Sequence, residues 1–197
     1  IFINADNSVL KEISADLKKI KYSISSDTLC KGQLVELNPY VKLKVNVHQD
    51  EIIIQSKLIG AYNLENILAA ICIGHYFKVD AGSIRSAIEE YQPTNNRSQY
   101  TKTSKNQLVL DAYNANPTSM KAAINNFSKL QFENKTAILG DMLELGNDST
   151  KEHEKIVKLL EQQSFKQVFL VGPVFSSIPS SFKKFTDVDQ AHEWIKI

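Results

Sequence analysis

Little in the chain points to a function by itself. Its two cysteines, Cys30 and Cys72, are too few for a disulfide framework. Cys72 lies in an apolar helical run where a buried free thiol is expected, so a reducing cytosol fits best. The seven glycines begin no G-x-x-x-x-G-K-[ST] loop and no G-x-G-x-x-G turn, which excludes both familiar phosphate cradles. No G-x-S-x-G elbow occurs and no nucleophile stands beside a visible base, so no catalytic residue is assigned. The four histidines are scattered. His153-Glu154 opens like a zinc-protease helix, but Val157 stands where the second histidine belongs, and no metal ligand is assigned. No apolar run approaches the roughly 18 residues of a membrane span. No basic-then-apolar leader opens the chain, and no membrane insertion is expected.

An excess of one charge is also missing. Lys+Arg 23 against Asp+Glu 22 leaves a net charge of +1. Residues 1–92 hold 10 basic and 11 acidic side chains, and residues 93–197 hold 13 and 11. Neither half has the basic field that attracts a nucleic-acid backbone, so no nucleic-acid partner is expected. With 43% hydrophobic and 23% charged residues, the chain reads as folded globular protein. Its 197 residues make one large domain or two small ones. It starts at Ile1, already inside the strand-like run Ile1-Phe2-Ile3, and reads as a piece of a longer polypeptide.

Periodicity supplies the elements. Ile1–Ala5 reads as a buried strand. Leu10, Ile13, Leu17 and Ile20 form the stripe of an amphipathic helix. Val41, Leu43, Val45 and Val47 alternate with polar residues, His48–Asp50 turns the chain, and Ile52–Leu58 returns, which predicts a hairpin with one wet face ending at Gly60. Leu64–Phe77 is apolar nearly all round, the mark of a helix buried on most sides. Asp80 caps a further helix carrying Ile84, Ala87, Ile88 and Tyr91. The polar stretch Gln92–Arg97, with Pro93, marks the domain boundary: 1–92 and 93–197.

In the second part, Leu108-Val109-Leu110, Thr136–Leu139, Val168–Val171 and Phe182–Phe185 read as short apolar strands. Asn116-Pro117 opens a helix with the stripe Met120, Ile124, Phe127 and Leu130. A helix from about Ser149 to Gln163 turns Ile156, Val157 and Leu160 inward, and Asp187 caps a last one through Trp194. The fold class is therefore α/β, with a mostly parallel sheet covered on both faces. Ligands gather in such sheets at the carboxyl ends of strands.

Three polar clusters exceed what a bare fold needs. In Gly60–Asn66, Asn63 is a natural helix cap; Asn66, inside the helix, fits capping poorly and offers an amide that can pair with a purine edge. In Asp111–Pro117, an Asx turn and the cap Asn116 explain part; Asp111 is left at a strand's carboxyl edge, where a carboxylate suits a ribose diol. In Leu139–Gly146, two glycines bracket Asp141 and Glu144, either as an exposed turn or as part of a cleft.

These clusters, in this order, resemble the Mur ligases. Gly60–Ala70 (GAYNLENILAA) is similar to the family's G-x-[HY]-N-x-x-N-x-x-A-A segment, with Tyr62 where many members have histidine. Asn95-Asn96-Arg97-Ser98 resembles the arginine-bearing start of the family's C-terminal domain. DAYNANPTSM (Asp111–Met120) and LGDMLELG (Leu139–Gly146) resemble the branch that adds D-alanyl-D-alanine.

The resemblance implies that 1–92 is the end of a central ATP-binding domain and that 93–197 is most of a Rossmann-like C-terminal domain. A Lys-Gly-Ser-Arg segment usual near its end is absent. It implies ATP and Mg2+, with most phosphate and metal ligands upstream of Ile1. It implies ATP-driven amide formation between a UDP-N-acetylmuramoyl tripeptide and D-alanyl-D-alanine through an acyl phosphate, for peptidoglycan precursors in a bacterial cytoplasm, by a monomer. By the same resemblance Asn63, Asn66, Arg97 and Asp111 contact nucleotide. Tyr113, Asn114, Asn116, Asp141 and Glu144 shape the dipeptide pocket, with Glu144 on the incoming ammonium. His153 either belongs to this set or lies on a solvated helix face. The alternatives are a stand-alone nucleotide- or metabolite-binding module, a related enzyme such as a folylpolyglutamate synthetase, and a structural domain with inert loops.

Overall fold

A computed structural model describes residues 1–47, 50–94 and 96–195. The predicted turn at His48–Asp50 falls at its centre outside the described residues, as does Asn95. The chain forms two compact units, Ile1–Asp111 and Ala112–Ile197.

The first unit begins with β1 (Phe2–Asn4), α1 (Ser8–Ile13) and β2 (Ile20–Ser23), followed by β3 (Cys30–Leu37), β4 (Tyr40–Val47) and β5 (Asp50–Ile59). The strands lie in sequence order in one sheet. β1, β2 and β3 run parallel, while β3–β4 and β4–β5 are antiparallel. The expected hairpin is therefore β4–β5, joined by a strand, β3, that the sequence did not predict. The expected helix over Leu10–Ile20 is corrected to the six residues of α1. The Ser14 hydroxyl bonds back to the Leu10 carbonyl, which competes with helix continuation. Ile13 and Leu17 are exposed, and Ile20 starts β2.

α2 (Asn63–Tyr76) then crosses the sheet and α3 (Ala81–Glu90) follows, capped by Asp80 through the Ser83 N–H as predicted. Val41, Leu43, Val45 and Ile54 from the sheet meet Leu64, Ile67, Leu68 and Ile71 from α2. Burial of each such side chain stabilises by about 1.5–3 kcal/mol. Gly32 lets α2 approach, since a Cβ there would strike the Leu68 side chain. The unit ends with an antiparallel pair, β6 (Gln99–Lys102) and β7 (Gln107–Leu110). This corrects the expectation that Leu108–Leu110 enters the parallel sheet. The Thr103 hydroxyl accepts from the Lys105 and Asn106 N–H groups and folds β7 back on β6.

The second unit runs α4 (Pro117–Lys129), β8 (Thr136–Gly140), α5 (Ser149–Glu161), β9 (Gln167–Val171), α6 (Pro173–Ser177), β10 (Lys183–Phe185) and α7 (Val188–Ile195). Asn116 caps α4 with Pro117 at its first position, as the sequence predicts. The three strands form a parallel sheet in the order β10-β9-β8, so the expected α/β class holds. Alternation along β9 splits its side chains between two cores. Val168 and Leu170 join Ile124, Ile156, Val157 and Leu160, whereas Phe169 and Val171 join Phe185 and Ala191. The second face is covered at β9 and β10 but open at β8, where Ile138, paired with Phe169, is exposed, so the expected cover on both faces is met only in part.

Candidate functional site

In the first unit, Tyr62 occupies the position before α2, and Asn63 is the first helical residue, not the cap. Asn63 is buried. Its amide donates to the Ile59 carbonyl at 2.7 Å and its oxygen accepts from the Asn66 amide at 3.0 Å. Asn63 thus ties the end of β5 to the helix start and fixes Asn66, whose side chain is exposed. Asp111, exposed at the end of β7, accepts from the Ser98 N–H at 3.2 Å and lies 3.5 Å from the Tyr62 hydroxyl. The Tyr62 and Ser98 hydroxyls are bonded to each other. Burial raises the Tyr62 phenol above its ordinary value, the Asp111 charge adds to this, and the Ser98 hydroxyl opposes it.

Arg97, exposed, sits between Asn96 (φ 55°) and Ser98 (φ 49°), two non-glycine residues in the left-handed region. Such backbone is maintained only where its surroundings over-determine it, and here Ser98 is buried and bonded on both its N–H and its hydroxyl. The helix start, the arginine segment and the Asp111 carboxylate are thereby gathered through Tyr62 and Ser98, two residues the sequence reading did not assign.

A further pair also escaped prediction. Buried Asn4, at the end of β1, donates to Glu65 at 2.9 Å. Neighbouring Asp6 accepts from Ser23, the Ile24 N–H at 2.7 Å and Ser25.

In the second unit, Ala115 and Met120 from one segment and Met142 and Leu145 from another pack on the same apolar cluster. This places the Tyr113–Asn116 and Asp141–Gly146 loops over one core. Tyr113, Asn114, Asn116 and Glu144 are exposed. Asn114 accepts from the adjacent Ala115 N–H, and Asn116 caps α4 with Ser119 in return. Asp141 differs from the open carboxylate expected. It accepts from the Val174 N–H at 2.8 Å and the Phe175 N–H at 2.9 Å, so it caps α6. Gly172, at φ 128°, makes this possible, because a Cβ would fall on the Asp141 carboxylate. Glu144 is the acid left on the surface, at φ 67°. Of the two readings of His153, the solvated helix face is corrected: the residue is fully buried. Its spacing from Ile156, Val157 and Leu160 was the available signal.

A hollow of about 760 Å³ in the first unit, lined among others by Ile20, Leu29, Ile52, Tyr76 and Ile84, contains none of the predicted residues. Among the described residues no three His, Cys, Asp or Glu side chains cluster as metal ligands. These residues do not by themselves make a Mg2+ site. Among the same residues no helix is long and apolar enough to cross a membrane.

Models of two domains of one family match the chain: the Mur ligase middle domain over residues 1–74 and the Mur ligase glutamate ligase domain over residues 96–195. The chain belongs to the Mur ligase family. It is 26% identical over 201 residues to the UDP-N-acetylmuramoyl-tripeptide–D-alanyl-D-alanine ligase of Rickettsia prowazekii, covering 95% of this chain and 45% of that Mur ligase. The chain thus spans less than half the length of that relative. Its fold matches the Acinetobacter baumannii UDP-N-acetylmuramoylalanyl-D-glutamyl-2,6-diaminopimelate–D-alanyl-D-alanyl ligase at TM-score 0.86 and 23% identity, covering 99% of this chain and 44% of the other. It also matches the Thermotoga maritima MurF ligase, solved in complex with ADP, at TM-score 0.79 and 18% identity, covering 98% and 46%.

Proposed function

We propose that this chain is the nucleotide- and acceptor-binding part of an ATP-dependent ligase that joins D-alanyl-D-alanine to a UDP-N-acetylmuramoyl tripeptide. In this reading ATP phosphorylates the tripeptide carboxylate. The dipeptide amine attacks the acyl phosphate, and phosphate leaves from the tetrahedral intermediate. The reaction needs no covalent enzyme intermediate, and catalysis rests on positioning and charge neutralisation. Asn66 contacts adenine from the place Asn63 gives it, Asp111 accepts from the ribose hydroxyls, and Arg97 binds phosphate oxygens with its forked donors. Tyr113, Asn114, Asn116 and Glu144 form the dipeptide contacts, while Asp141 acts on them by shaping its loop. The functional division falls near Pro93, between the two family matches at 1–74 and 96–195. One copy of the chain supplies every contact named. A cytoplasmic location accords with two buried free thiols and a nucleotide-linked substrate.

The observation that carries this reading is the Tyr62–Ser98–Asp111 cluster, which holds a carboxylate and the Arg97 segment beside the start of α2. In the ligase containing this chain, Asp111→Ala raises the KM for ATP about tenfold or more, the scale of a lost charge-assisted hydrogen bond. Unchanged ATP kinetics would remove the nucleotide assignment. The 197-residue chain alone is expected to form no amide and to bind ADP feebly in calorimetry, since it has no phosphate cradle. Tight ADP binding by the chain alone favours the stand-alone nucleotide-binding module instead.

A further inference from the structure

His153 is a fully enclosed imidazole that the reaction just described does not use. A buried polar ring persists only when its nitrogens are bonded. Nδ1 lies 2.8 Å from the Ser149 carbonyl, and Nε2 lies 2.9 Å from the Met142 N–H. A carbonyl only accepts and a backbone N–H only donates. The proton therefore sits on Nδ1 and Nε2 is the acceptor, which fixes a neutral ring in one tautomer. Phe175 closes the site edge-on, with ring centroids 4.5 Å apart. Asp141 Oδ1 is 3.6 Å from Nε2, beyond hydrogen-bond distance, and its oxygens accept from the Val174 and Phe175 N–H groups.

The Met142 N–H sits just past the end of β8, where the sheet ladder has stopped. His153 supplies its acceptor from α5, 11 residues away. Met142 itself is buried, while Leu143 and Glu144 beyond it are exposed. The imidazole thus holds the root of the segment that displays Glu144.

We propose that His153 is a positioning residue: through Nε2 it anchors Met142 and so sets where Glu144 meets the ammonium of the incoming dipeptide. The second half of this rests on the ligase reading above; the anchoring does not. Two variants separate the parts. His153→Phe keeps a ring but removes the acceptor, and His153→Gln can return an acceptor oxygen to the Nε2 position. In the 197-residue chain, Met142 amide hydrogen exchange should accelerate about tenfold in the Phe variant, with Leu170 in the central strand unchanged, and should recover in the Gln variant.

In the ligase containing this chain, the Phe variant should raise the KM for D-alanyl-D-alanine about tenfold, the scale of a lost hydrogen bond, with the KM for ATP unchanged and recovery by Gln. Unchanged Met142 exchange, or equal rises in both KM values, overturns the proposal. Accelerated exchange with unchanged dipeptide KM reduces His153 to a fold contact and overturns it too. If Glu144→Gln leaves the dipeptide KM unchanged, the Glu144 assignment of the ligase reading fails, whatever Met142 exchange shows. Should the Phe variant not fold, nitrogen NMR of the unsubstituted chain decides the anchor: a protonated Nδ1 and a bare Nε2 coupled to the Met142 amide are expected, and a protonated Nε2 overturns it.

Discussion

Asp111 leaves β7 with an exposed carboxylate, bonded to one backbone N–H and approached by one phenol. Asp141 leaves β8 with a carboxylate engaged by two N–H groups at the start of α6. Both follow strands and both lie in motifs that resemble the same family, yet their surroundings differ. Around Asp111 the chain offers a partner that leaves lone pairs open to a ligand. Around Asp141 a glycine clears the way for a helix start to take both oxygens. The residue type sets what a side chain can do, and the element packed against it decides which of those things it does.

The largest effect expected of any change comes from filling the space beside Asp141. Gly172→Ala adds a Cβ where the carboxylate stands, at a φ of 128°. It should destabilise the second unit by about 3–5 kcal/mol, read as a lower urea midpoint. Gly140→Ala is the control, since a Cβ there meets nothing within 4 Å. Next comes the direct contrast. Asp141→Ala strips a bonded cap and should cost about 1–3 kcal/mol, whereas Asp111→Ala should lower stability less and lower nucleotide affinity more. Equal stability losses in urea would break the comparison.

Elements set by local signals were legible beforehand. Asn116-Pro117 marked α4, Asp80 marked α3, the apolar run from Leu64 marked α2, and alternation marked β4–β5. The misses depended on distant partners or on polar competitors. β3 is largely exposed along its length and owes its place to pairing with β2 and β4. β6 carries the polar run Gln99–Lys102, and α1, which buries none of its residues, ends where Ser14 bonds back to the Leu10 carbonyl. Within the site, the sequence pointed to Asp111 and Asn66 but not to Tyr62 and Ser98, because their meeting spans 36 positions. Asp141 finds its N–H donors more than 30 residues on, which no motif displays.

Asp6 sharpens the comparison most gently. It too follows a strand, β1, and it is exposed like Asp111 yet heavily bonded like Asp141. Burial pushes its carboxyl up, but the Ser23 and Ser25 hydroxyls and the Ile24 and Ser25 N–H groups outweigh this and bring it down to about 2 from 3.8. A carboxyl lowered by folding stabilises the native state above its unfolded value, and that contribution is lost as pH falls through the folded one. Asp6 therefore contributes fully above about pH 4 and progressively less toward pH 2. Asp80, through Ser83, and Asp187, through the Gln190 N–H, are lowered as well, so the informative quantity is a difference between variants. Urea midpoints of the unsubstituted chain and of Asp6→Asn should be separated at pH 6 and converge as the pH approaches 2. A constant separation over that range would place the Asp6 contribution in packing rather than in its charge.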